Sequence, residues 1–185
     1  EHCDVPDKAL IEEKLHRVLN NLPNEYVTTD TDGTHGIPGA FFLGNTTITG
    51  INKLRPDRPL QTFCGDEDTV TLFSLRSVST VRVSIPWSLC SGHNGTLTST
   101  AGLIRYEGVL ITRKPGNYSG TSIEGLTPVV LENLNIGMTG GGRTLHAVLH
   151  VLGVLFSGPV RLFWVELMTK NIQDALQNTL LELEL

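Results

Sequence analysis

Apolar positions near the start of the chain recur at helical spacing. Leu10, Ile11, Leu15, Val18, Leu19 and Leu22 fall along one face, with Lys8, Glu12, Glu13, Lys14 and Arg17 mostly opposite. This pattern predicts an amphipathic helix over Pro6 to Leu22, stopped by Pro23. From Asn24 to Gly39, Thr, Asp, Gly and Pro follow one another without period, as in a loop. From Ala40 to Ile136 the period becomes two and β-branched residues dominate, which predicts a sheet of several long strands. The clearest alternation sets Val81, Val83, Ile85 and Trp87 against Thr80, Arg82, Ser84 and Pro86, one face buried and the other wet. Phe42 and Ile48, Val70 to Leu75, Leu97 to Thr112 and Val129 to Ile136 supply the other strands, and Pro86 is expected at an edge or a strand end.

After Gly140-Gly141-Gly142 the helical period returns from Thr144 to Phe156, breaks at Ser157-Gly158-Pro159, and resumes to about Leu183. In that last piece Val160, Phe163, Trp164, Leu167, Met168, Ile172, Ala175, Leu176, Leu180 and Leu183 form one stripe. Helix, antiparallel strands, then long broken helix is the order of an α+β chain, expected to fold as one domain over residues 1–185.

Charged residues make up only 18% of the chain, so its surface must rely on Thr, Ser, Asn and Gly. The formal net charge is -5, and Lys and Arg are scattered singly, which leaves no basic stripe for nucleic acid. Three sequons, Asn45-Thr46-Thr47, Asn94-Gly95-Thr96 and Asn117-Tyr118-Ser119, make Asn45, Asn94 and Asn117 candidate glycosylation sites. Together with an opening at Glu1 that carries neither Met nor an apolar leader, they point to a secreted, extracellular product. The longest apolar run, Ala147 to Phe156, is half of what a bilayer span requires, so no transmembrane segment is expected.

Three cysteines, Cys3, Cys64 and Cys90, fit an oxidising compartment. A hairpin joining Val70–Leu75 to Thr80–Trp87 would set Cys64 opposite Cys90 and allow a disulfide there, leaving Cys3 free or paired between chains.

Gly39 to Leu54 (GAFFLGNTTITGINKL), the strand stretch Gly65 to Leu89, the passage Val129 to Phe156 and the closing run Gly158 to Leu176 (GPVRLFWVELMTKNIQDAL) resemble the tubular lipid-binding superfamily, which includes bactericidal/permeability-increasing protein and insect juvenile-hormone-binding proteins. The mite group-seven allergens are the members most similar in pattern. The resemblance implies a curved antiparallel sheet wrapped around a long C-terminal helix, an apolar cavity between them for a lipid or fatty acid, and no catalytic residues. This chain departs from the mite proteins in its cysteines and its several sequons. Facing apolar positions that would line such a cavity are Phe42, Ile48, Leu72, Val83, Ile85, Leu103, Leu149, Leu152, Phe156, Phe163 and Leu167.

Other motifs carry less. Gly137 to Thr144 spells G-x-x-x-x-G-R-T, but a phosphate loop needs Lys at the Arg143 position and a parallel βαβ surround, so it reads as a link before an N-capping Thr144. His146 and His150 share a helix face but lack the Glu of a zinc-protease motif and read as polar groups in an apolar helix. Asp30-Thr31-Asp32-Gly33 reads as a turn, since its twelfth position is Phe41 where a calcium loop needs Glu. No cofactor and no metal is implied, and the chain is expected to bind rather than catalyse. The first expectation is a carrier of a hydrophobic small molecule. The alternative is an interaction or effector protein, allergen-like, that acts on another extracellular protein or a microbial surface.

Overall fold

The computed structural model describes residues 5–28, 41–65, 68–113, 120–142 and 157–184. Helix α1 spans Val5–Asn21 and buries Ile11, Leu15, Val18 and Leu19, with Leu22 just beyond it. Leu10, which the spacing puts on the same face, is exposed. Eleven strands follow among the described residues: β1 Glu25–Val27, β2 Phe41–Leu43, β3 Thr47–Thr49, β4 Leu54–Pro56, β5 Gln61–Cys64, β6 Asp68–Ser77, β7 Val81–Leu89, β8 Asn94–Ala101, β9 Leu103–Arg113, β10 Thr121–Glu132 and β11 Asn135–Met138. Helix α2, Ser157–Glu184, closes the described chain, and Pro159 falls in its first turn, where a missing N–H costs nothing.

The strands form two antiparallel ladders. One runs β1, β3, β7, β8, β11, with β2 also on β7; the other runs β10, β9, β6, β4, with β5 also on β6. Consecutive strands β3 and β4, β6 and β7, β8 and β9, and β10 and β11 each divide between the ladders, so the chain crosses from one to the other at residues 50–53, 78–80, 102 and 133–134. Gly102 is one such corner. Its N–H donates to the Glu132 carbonyl at 3.1 Å, and a Cβ there would lie 3.0 Å from Asn133 Cβ. Asn133, at the next corner, has φ 55°, a left-handed conformation that Asn tolerates better than most side chains.

The two ladders are thus the halves of a bent sheet, and α2 is packed in the bend. Trp164, Met168, Ile172, Ala175, Leu176 and Leu180 of α2 belong to one apolar cluster with Val83 and Ile85 from the first ladder and Phe73, Leu75, Ile104 and Tyr106 from the second. The architecture is the α+β one expected: an antiparallel sheet wrapped around the C-terminal helix, with an N-terminal helix beside it. Edge strand β10 is covered by α2, whose glutamines extend the ladder. The Ile123 N–H donates to Gln177 Oε1 at 2.7 Å and the Leu126 N–H to Gln173 Oε1 at 3.4 Å. An open edge of this length would otherwise offer its amides to another chain.

Three sequence expectations change. The hairpin between β6 and β7 does not form, because β6 pairs with β9, β5 and β4 while β7 pairs with β8, β3 and β2. The run Leu97 to Thr112 is two strands broken at Gly102. Pro86 lies mid-strand in β7, with neighbours on both sides. Its carbonyl accepts from the Gly44 N–H at 2.8 Å, so its own absent N–H faces the same gap, residues 44–46, between β2 and β3. A proline in a central strand is tolerated where the partner ladder is interrupted.

Candidate hydrophobic-ligand site

The inward face of the wrap is set by strand parity. On β7, Val81, Val83, Ile85 and Trp87 point inward; on β9, Ile104, Tyr106 and Leu110 do so, with Gly108 between them. Phe73 pairs with Gly108 across the ladder, and a Cβ on Gly108 would lie 2.6 Å from Phe73 Cζ, so the ring occupies the space a side chain would take. Against this face α2 presents Trp164, Met168, Ile172 and Leu176. Every buried polar residue among the described ones is a Thr or a Ser.

Of the positions expected to line a cavity, Ile48, Val83 and Ile85 are buried on the inward face, and Leu167 is partly buried against the same core. Phe42, Leu72 and Leu103 lie elsewhere, with exposures of 39%, 40% and 36%. For Phe42 the cause is a slip in register. Phe42 pairs with Ser88 and Ile48 with Val83, so six steps along one side match five along β7, and the two side chains face opposite ways. Leu72 and Leu103 each adjoin a second apolar residue, Phe73 and Ile104, and the inward place goes to the neighbour. The side chain of Phe163, and residues Leu149, Leu152 and Phe156, lie outside the described residues, as do Asp30 to Gly33, His146 and His150.

Tyr106, Trp164 and Met168 were not among the expected wall residues. Tyr106 was legible, since Ile104, Tyr106 and Leu110 alternate with Arg105, Glu107 and Val109. Burial pushes its phenol well above the ordinary value of 10.0, with a smaller opposing effect from the Thr169 hydroxyl. Tyr26 is also raised, by burial first and then by the Asp174 carboxylate; its hydroxyl accepts from Asn178 Nδ2 at 3.4 Å.

The Tyr106 shift fixes a pH dependence. A group whose folded pKa lies above the unfolded one contributes stability below the unfolded pKa and loses it as pH rises. Unfolding midpoints in urea should therefore be level up to about pH 10 and fall above it. In Tyr106→Phe that alkaline fall should be shallower, checked by urea titrations between pH 8 and 11.

Two cavities open on the strands among the described residues. One, of about 330 Å³, lies on the second ladder over Leu72, Val109 and Val129, with Arg58 and Glu107 at its rim, 3.4 Å apart. The other, of about 430 Å³, lies on the first ladder over Phe42, Leu43 and Pro86 and reaches Asn94. Asn45 and Asn94 are both exposed, while Asn117 lies outside the described residues.

The Cys64–Cys90 pairing loses the hairpin that motivated it. Cys64 ends β5 opposite Thr69 in the second ladder, whereas Cys90 is exposed in the turn that follows β7 of the first. Gly137 and Met138, from the glycine-rich motif, belong to the antiparallel strand β11 rather than to a parallel βαβ unit. None of the described helices is long and apolar enough to cross a membrane.

No family model matches the sequence, and no curated protein matches it. Among solved structures the chain is similar to a lipopolysaccharide binding protein, at 11% identity and a TM-score of 0.45, over 94% of this chain and 37% of that one. The chain thus spans well under half the length of that protein.

Proposed function

We propose that the protein is a secreted, non-catalytic carrier that holds a hydrophobic small molecule, a lipid or fatty acid, between the bent sheet and its C-terminal helix. The observation that carries this reading is the inner face. Both ladders turn apolar side chains toward α2, and no charged residue is among the buried ones described; the polar atoms there are Thr, Ser and Tyr hydroxyls and the Trp164 indole N–H. An interior of that kind suits an apolar ligand, oriented by a few neutral hydrogen-bonding groups. The sequence resemblance to tubular lipid-binding proteins points the same way, and the exposed sequons Asn45 and Asn94 support a secretory route.

The reading is tested with protein purified from a eukaryotic secretory host. Native mass spectrometry should show co-purified lipid, and a fluorescent fatty acid should bind saturably. Leu167→Trp, which adds bulk on the inner side of α2, should lower affinity for the probe several-fold while the fold persists. Protein that carries no lipid and binds no probe would overturn the carrier reading.

A second reading is favoured by the outward cavity over Leu72, Val109 and Val129, with exposed Phe63 nearby on β5. Exposed apolar surface flanked by charge is the usual form of an interaction site. On this reading the protein acts by binding another extracellular protein or a microbial surface. Leu72→Asp should then abolish partner capture while leaving fatty-acid binding intact.

A further inference from the structure

The aromatic ring that the register slip turns outward is not isolated. Phe42 pairs with Ser88 on β7, and Ser88 pairs with Asn94 on β8, so the three form one row across three neighbouring strands. Residues in such a row point to the same side of a sheet. Two residues along, Pro86 pairs with Thr96, which places both ends of the sequon Asn94-Gly95-Thr96 on the side that Phe42 and Pro86 face. Ser88 is small and sits between two larger neighbours, so the row is notched at its centre. The notch belongs to the cavity of about 430 Å³ that Phe42, Pro86, Ser88 and Asn94 border. Strand spacing puts Phe42 and Asn94 roughly 9–10 Å apart at their backbones.

We propose that an N-linked glycan on Asn94 folds back along this row and lays its first sugar on the Phe42 ring. Attachment joins Asn94 Nδ2 to the anomeric carbon of a polyprenyl-diphosphate-linked oligosaccharide, releasing polyprenyl diphosphate and one amide proton. The first residue, an N-acetylhexosamine, has a face of C–H groups that packs on an aromatic ring. Ser88 leaves room for it, and Pro86 bounds the notch on one side. The glycan then covers a phenylalanine that is 39% exposed in the bare chain. Removal of that ring from water stabilises the folded state, since the glycan has no fixed partner in the unfolded chain. The occupant is defined by its tether: among the described sequons, Asn94 is the one that borders the cavity itself.

The inference rests on the secretory reading, and the experiment separates the two. Wild type, Asn94→Gln, Phe42→Ala and the double variant are secreted from glycosylating cells. Occupancy is read by peptide mass after N-glycosidase treatment, and melting midpoints are compared. Asn94 should be occupied, and its loss should lower the midpoint by about 2–4 °C, the shift expected of a modest interaction in a chain of this size. In the Phe42→Ala background the same loss should change the midpoint little. Thr96→Ala, which removes the sequon and keeps Asn94, should behave as Asn94→Gln does. An occupied Asn94 whose removal has the same effect with and without Phe42 would overturn the proposal, and so would an empty Asn94 beside an occupied Asn45. No occupancy at any sequon would overturn the secretory reading along with it.

Discussion

Replacing Trp164 by alanine is expected to cost about 3–5 kcal/mol, the range for truncating a buried large aromatic residue. Trp164 is 1% exposed and stands where α2 meets the inner side of the wrap. The loss should appear as a fall in melting midpoint of roughly 6–20 °C, since 1 kcal/mol corresponds to about 2–4 °C at this chain length. Its indole Nε1 is buried without a hydrogen-bond partner among the described residues. Trp164→Phe keeps an aromatic ring and removes that unpaired donor, so it should recover most of the lost stability. Urea unfolding of the two variants checks both statements. Equal losses for the two would mean that the indole nitrogen contributes an interaction after all.

Gly140→Ala should be the next most damaging single change. Gly140 has φ 83°, where a side chain costs about 1–3 kcal/mol by itself. An added Cβ would also fall on the Asn94 carbonyl oxygen and come within 2.9 Å of Gly95 Cα, both backbone atoms that cannot swing away. Gly95 faces the same squeeze from the other side, where its Cβ would meet the Thr139 carbonyl. The two glycines thus let β8 and the end of β11 approach, an approach held by Thr139 N–H donating to the Thr96 carbonyl at 2.9 Å. Gly92→Ala supplies the comparison. It carries φ 87° with no atom within 4 Å of a built Cβ, so it should show the conformational cost alone. The excess loss in Gly140→Ala over Gly92→Ala measures the contact. Faster amide exchange at Ile136 to Met138 should accompany it.

The period of the apolar residues determined both terminal helices, the α+β class, and the inward face of β7. Val81, Val83 and Ile85 alternate with polar residues so regularly that only one face can be buried. The stripe Trp164, Met168, Ile172, Ala175, Leu176 and Leu180 likewise allows α2 one orientation toward a core. The sequence also placed a glycine and a proline at informative points, but not what each does. Gly102 divides one apparent strand into two because it turns a corner against Asn133, a contact 31 residues distant in sequence. Pro86 looks like a strand end and is tolerated mid-strand because β2 and β3 part company beside it. Short strands β1, β4 and β5, three or four residues each, carry too few alternations to register.

Tertiary structure alone decided which strands pair and which of two adjacent apolar residues faces inward. At Leu72-Phe73 and Leu103-Ile104 both parities offer an apolar side chain, so local pattern is silent and the choice falls to packing. Phe73 is buried over Gly108, and Ile104 faces the core with Tyr106. At Phe42 the side is set by a one-residue slip in pairing with β7, which reverses everything on one side of it. The same slip that takes Phe42 out of the interior brings it into the row with Ser88 and Asn94. Sequence spacing fixes what a residue can be near along the chain, but pairing between strands far apart in sequence fixes what it is near in space.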